Sequence, residues 1–195
     1  MDILLITTGG TIDAQPYLDP LSPPLNCEPL HRDRSIVPDA VKKLFPLHLD
    51  SHFVCNLDSK QVENNHLNCI ANIIKGHSHK NIIVTCGTDR MPEIARRIDS
   101  AIGQELREQD RRVIFTGAMI PLSNGSCSDG WNNLKTALEN IETYPAGVGL
   151  VVPTLKKGTP NIRVSFLKAA EAAKNFGYYE KGMPFKGIFY STLSP

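Results

Sequence analysis

Residues 2–13 read DILLITTGGTID. Four aliphatic residues, Ile3 to Ile6, run without a polar break into Thr7, Thr8, Gly9, Gly10 and Thr11. A strand with one wet face would alternate. An unbroken apolar run closed by a glycine turn is the pattern of a strand covered on both faces, as in a parallel sheet between helices.

Working outward, similar short runs recur at 52–57, 81–85, 112–116, 147–152 and 187–191, each bounded by polar residues or glycine. Between them lie segments of helical period. Residues 38–45 place Val41, Leu44 and Phe45 on one face, and residues 61–75 do the same with Val62, Ile70, Ile73 and Ile74. The clearest is MPEIARRIDSAIGQELRE (91–108), where Ile94, Ile98, Ile102 and Leu106 form a stripe and Pro92 suits the first turn. GWNNLKTALENIE (130–142) carries a further stripe, and a last helix is expected around 165–175. Strands alternating with helices predict a single α/β domain over residues 1–195, with a parallel sheet covered on both faces.

The 21 basic and 20 acidic residues leave a net charge of +1, which gives no electrostatic reason to expect nucleic acid or an anionic membrane as partner. No apolar run is long enough to span a bilayer, and the N-terminus reads as a strand, so a cytoplasmic protein with a small-molecule partner is expected. Five cysteines without CxxC spacing suggest reduced thiols, with neither a disulfide framework nor a zinc site. His77 and His79, in GHSH, read as a polar turn because no third ligand stands near them in sequence, and no metal is expected.

In open parallel sheets, ligands bind outside the carboxyl ends of the strands. The residues just past each strand are therefore the informative ones. After the first come Thr8, Gly9, Gly10 and Thr11; after the second, Asp58 and Ser59; after the third, Cys86, Gly87, Thr88 and Asp89; after the fourth, Gly117, Ala118 and Met119. Two readings stay open. The hydroxyls satisfy turn backbone and Thr88 or Asp89 caps the helix of Pro92, or they line a ligand crevice. A phosphate cradle is not indicated, since neither GxGxxG nor a Gly-Lys-Ser/Thr ending is present.

TTGGTID and VTCGTDRMPEIA resemble the two signature segments of the bacterial-type L-asparaginase family, which read approximately TGGTIA and HGTDTMEETA. VIFTGAMIPLSNGSCSDGWNNLKTAL is similar to a third family stretch, GAMRPxxxxSADGxxNLxxA, and NLDSKQV to the loop that supplies a serine to the substrate. Four segments in one order are far more specific than any single motif.

The resemblance implies flavodoxin-like or Rossmann-like layering in three layers, hydrolysis of the side-chain amide of asparagine and often glutamine, and no cofactor. By it, Thr11 matches the threonine nucleophile, and Thr88 and Asp89 the second threonine and its aspartate. Ser59 matches the serine for the substrate's α-carboxylate, and Tyr17 the tyrosine of the loop that closes the site. Gly10, Asp58, Gly87 and Ala118 complete the expected binding set. Asp89 fits either a proton relay with Thr88 or a partner for the substrate's α-ammonium.

The catalytic lysine is carried over to Lys168 by a one-residue shift after Arg163, with Lys156, Lys157 and Lys174 as fallbacks. Cys86 stands where the family usually has histidine; a thiol beside a helix N-terminus can have a lowered pKa, while a buried thiol is inert. Family members commonly carry a second, smaller domain that contributes to a neighbouring subunit's site. Here that domain is expected to be absent, which leaves a short-chain enzyme, expected to form dimers or tetramers, or a binding module that senses amino acids through the same pocket.

Overall fold

The structure is a computed structural model describing residues 1–19, 28–155 and 162–168. It contains strands β1 (Asp2–Thr7), β2 (His48–Phe53), β3 (Asn81–Thr85), β4 (Arg112–Thr116), β5 (Gly147–Leu155) and β6 (Ile162–Lys168). Helices α1 (Val37–Leu44), α2 (Asn64–Gly76), α3 (Met91–Glu108) and α4 (Gly130–Asn140) stand between them. The strands form one sheet in the order β2-β1-β3-β4-β5-β6, parallel from β2 to β5, with β6 antiparallel at the edge.

Alternate strand residues feed two cores. Leu4, Ile6, Ile82, Val84, Val113 and Phe115 point to the face covered by α2 and α3. Ile3, Leu5, Ile83 and Ile114 point to the face covered by α1 and α4. The result is the three-layer α/β architecture expected from the unbroken apolar runs. In α3, Ile94, Ile98, Ile102 and Leu106 are all buried, and each such side chain contributes about 1.5–3 kcal/mol of burial.

Three expectations are corrected. The second strand covers His48–Phe53 instead of 52–57, because it is an edge strand whose outer flank tolerates the polar pattern HLDSHF. Helix α2 starts at Asn64, after a separate 3-10 turn at Ser59–Gln61. Residues 165–168, expected in a helix, belong to β6, where pairing with β5 outweighs the helical pattern of the alanine-rich stretch beyond Lys168. The expected strand at 187–191 and the remainder of the 165–175 helix lie outside the described residues.

Strand order reverses between β1 and β3: the chain steps from β1 outward to β2, then returns to β3 on β1's other side. In open α/β sheets, the carboxyl edge at such a reversal is where ligands bind.

Candidate active site

Thr7 pairs with Thr85, so the two strands end level and their exits lie side by side. Gly9 and Gly10 come directly after β1 with φ of 88° and 84°, a left-handed conformation that glycine adopts without steric cost. A Cβ at Gly10 would overlap the backbone nitrogen of Gly87 and stand 2.9 Å from the Cys86 carbonyl carbon. A Cβ at Gly87 would stand 2.9 Å from the Ser59 backbone nitrogen and 3.0 Å from its Oγ. Bare backbone thus brings the exits of β1 and β3 and the loop after β2 into van der Waals contact. Thr11 and Thr88 each follow a contacting glycine, so the two turns that carry them lie side by side.

Thr8 is the turn-supporting hydroxyl: its Oγ1 donates to the Thr85 carbonyl at 2.9 Å. Thr11 starts a short 3-10 turn, Thr11–Asp13, and is half-buried. Asp13 anchors that turn, accepting from Ser35 Oγ at 2.6 Å and Ile36 N at 2.8 Å. Burial raises the Asp13 carboxyl pKa, opposed by these hydrogen bonds.

Thr88 and Asp89 do not cap helix α3. Its N-cap is Arg90, without a side-chain cap bond. Thr88 Oγ1 instead donates to Met119 Sδ at 3.3 Å, a weak acceptor, and Asp89 pairs with Lys60 Nζ at 2.9 Å on the exposed rim. Asp58 does cap: its carboxylate accepts from Lys60 N at 2.8 Å, which fixes the turn carrying the buried Ser59. Ser59 Oγ accepts from Arg90 N at 3.2 Å, tying this turn to the start of α3 and leaving its O–H able to donate elsewhere.

After β4, Gly117 approaches the Cys86 carbonyl, and buried Ala118 packs on Gly130. Tyr17 is buried, and its backbone is held by Asn124, whose Oδ1 accepts from Tyr17 N at 2.9 Å and whose Nδ2 donates to Tyr17 O at 3.0 Å. A cleft lined by Phe53, Asn56, Leu57, Asp58 and Lys60 adjoins the rim beside the β2 exit.

Lys168 ends β6 opposite Gly149, on the level of Leu5, Ile83 and Ile114. Its backbone is two residues short of the level where β1, β3 and β4 exit. Lys156, Lys157 and Lys174 lie outside the described residues. Cys86 is wholly buried, which pushes its thiol pKa strongly up, as the reading of a buried, inert thiol has it and against the activated one.

Two residues escape the sequence reading although they lie in a quoted motif. Asp129 accepts from Met119 N at 3.0 Å and Ile120 N at 2.9 Å, and Asn133 Nδ2 reaches Asp129 Oδ2 at 3.2 Å and the Gly117 carbonyl at 2.8 Å. Together they shape the β4 exit against which Thr88 rests. Burial pushes the Asp129 pKa up to about 6 despite those hydrogen bonds. The spacing of Asp and Asn on one helical turn is the available signal. Lys60 also escapes it, since a lysine after a serine carries no signature.

Paired hydroxyl-bearing turns at the switch point of a doubly wound α/β sheet define the class of molecule. The chain belongs to the asparaginase family: the family model described as Asparaginase, N-terminal, matches residues 2–172. Among solved structures it is similar to the thermostable L-asparaginase from Thermococcus kodakarensis, with 22% identity, a TM-score of 0.56, and coverage of 77% of this chain and 43% of that one. It is also similar to a probable cytoplasmic L-asparaginase from Campylobacter jejuni, with 21% identity, a TM-score of 0.58, and coverage of 86% and 52%. The chain thus spans about half the length of these structures. Compared with curated proteins by sequence, it matches none. Among the described residues, no helix is long and apolar enough to cross a membrane.

Proposed function

We propose that the chain hydrolyses the side-chain amide of L-asparagine, and also that of L-glutamine, to the acid and ammonia. The observation that supports this reading is the backbone contact of Gly10 with Gly87, which brings the turns carrying Thr11 and Thr88 together. Thr11 Oγ attacks the amide carbon and, as its proton leaves, ammonia departs and an ester to Thr11 forms. Water then cleaves that ester, restoring the hydroxyl. Backbone N–H groups of the glycine turns suit the developing oxyanion. Thr88 relays the proton, the Ser59 O–H meets the substrate's α-carboxylate, and Asp89 meets its α-ammonium.

A second reading, an amino-acid-binding module without turnover, is favoured by one observation. The backbone of Lys168, the base carried over by the resemblance, lies two residues short of the strand exits instead of level with the turns of the two threonines. Ammonia release from asparagine, measured beside calorimetric binding of asparagine and aspartate, separates the two. Turnover lost on Thr11→Ala, with binding and fold retained, supports the hydrolase. Binding with no turnover in the wild type supports the sensor, and wild-type activity in Thr11→Ala overturns the role of Thr11.

A further inference from the structure

A second cluster of chemistry-bearing side chains lies away from the exits of β1 and β3, on the flank of edge strand β2. His48, Asp50 and His52 alternate along β2 and so share a face. Their register partners on β1 are Asp2, Leu4 and Ile6, and the last two face α2 and α3, which puts the polar trio on the same side. His77 caps the C-terminus of α2 and His79 precedes β3. The His77 ring lies 4.7 Å from that of His52 and 5.5 Å from that of His79.

His79 is the anomaly. Its side chain keeps only 8% of its exposure, yet neither ring nitrogen makes a hydrogen bond. Burial strips both nitrogens of hydration, and the polar atoms near them, carboxylate oxygens beside Nε2, lie outside hydrogen-bond geometry. Its position is nevertheless fixed, because its carbonyl accepts from Arg111 Nε at 2.9 Å while Arg111 Nη2 donates to the Ile74 carbonyl at 2.7 Å.

Around His79, the donor atoms of Asp2, His48 and His79 all lie within 4.8 Å of one another. Those of Asp50, His77 and His79 do the same. His79 Nε2 stands 3.3 Å from Asp2 Oδ1 and 3.4 Å from Asp50 Oδ2. Ligands at about 2.0–2.1 Å from a tetrahedral zinc ion stand about 3.3–3.4 Å from each other, and the 3.3 Å between His79 Nε2 and Asp2 Oδ1 is the spacing of two donors on a shared ion. His48 Nδ1 lies closer to Asp2 Oδ1, at 2.8 Å, in a contact that an ion would widen.

We propose that Asp2, His48 and His79 form a binding site for one divalent ion of the zinc class. Two imidazoles and a carboxylate suit zinc and its neighbours, whereas magnesium and calcium prefer oxygen ligands throughout. The fourth position is open to water, since Asp2 and His48 are exposed. An ion there joins the start of β1, the edge strand β2 and the turn before β3, whose ligands His48 and His79 are far from Asp2 in sequence. The site is independent of the exits of β1 and β3 and needs no turnover.

The test is calorimetric titration of the untagged full chain with zinc chloride, with magnesium chloride as comparison, and melting temperature read in parallel. One equivalent of zinc should bind and raise the melting temperature, and magnesium should do neither. His79→Gln and the surface substitution His48→Gln should each weaken zinc binding by at least roughly tenfold. His48 is exposed, so its variant remains folded even if the buried His79 variant does not. Absence of stoichiometric zinc binding in the wild type overturns the proposal and leaves His79 as a buried imidazole beside two carboxylates. Unchanged zinc affinity in His48→Gln overturns it equally.

Discussion

Gly10 and Gly87 meet backbone to backbone, so that no side chain fits between the turn after β1 and the turn after β3. Alanine at position 10 has to overlap Gly87 and hold a φ of 84° as well. Backbone strain and overpacking each cost about 1–3 kcal/mol, so Gly10→Ala should lose about 2–6 kcal/mol in urea unfolding. Gly76→Ala is the control: a Cβ there meets open space, and its unfolding midpoint should stay near or above wild type. Equal effects of the two substitutions would show that the exits are not in contact.

Thr88→Val removes a hydroxyl while keeping the side chain's shape. Its bond to Met119 Sδ is weak, so the variant should lose less than about 1 kcal/mol of stability. If Thr88 relays a proton, ammonia release should fall by a factor of about 100 or more, mostly in kcat. A variant with wild-type kcat would remove Thr88 from the reaction.

Lys60 and Asp89 form an ion pair at 2.9 Å with both side chains substantially exposed. Such pairs contribute about 0–1 kcal/mol, so Lys60→Ala should leave stability nearly unchanged. If Asp89 receives the substrate's α-ammonium, Lys60 competes for that carboxylate. Its removal should then lower KM by a factor of up to about five, with the gain shrinking in high salt. A higher KM in Lys60→Ala would instead make Lys60 a substrate contact.

The parts of the fold and site written in contiguous residues are legible in the sequence. The run Ile3 to Ile6 announces a doubly covered strand, and Gly-Thr pairs mark the exits of β1 and β3. Features that depend on distant residues are not. Apolar content pulls the expected position of β2 toward Phe53 and Val54, whereas an edge strand tolerates polar residues. Strand β6 merges in sequence with the alanine-rich segment after it, since only its pairing with β5 reveals an extended conformation. Asp129 reads as an ordinary polar residue before a helix until the loop of Met119 and Ile120 folds over its carboxylate. His77 and His79 have no third ligand nearby in sequence, but the sheet delivers Asp2, His48 and Asp50 to them.

Asp129 also sets a pH dependence whose sign comes from its burial. Its carboxyl titrates near 6 in the folded chain, against an ordinary value of 3.8, so between these the folded state binds more protons than the unfolded state. Stability therefore falls as pH rises through that window, and the full penalty, about 3 kcal/mol for a shift of about two units, is present above pH of about 6. Asn at this position is neutral throughout. The unfolding free energy of wild type minus that of Asp129→Asn should decline by up to about 3 kcal/mol as the pH rises from about 4 to about 7. The loop at Met119 also loses acceptor symmetry in the variant, which shifts the whole curve without changing its slope. Urea denaturation of both proteins across that range measures the difference directly. A flat difference would mean that the carboxylate is ionised at no cost, as it would be if water reached it.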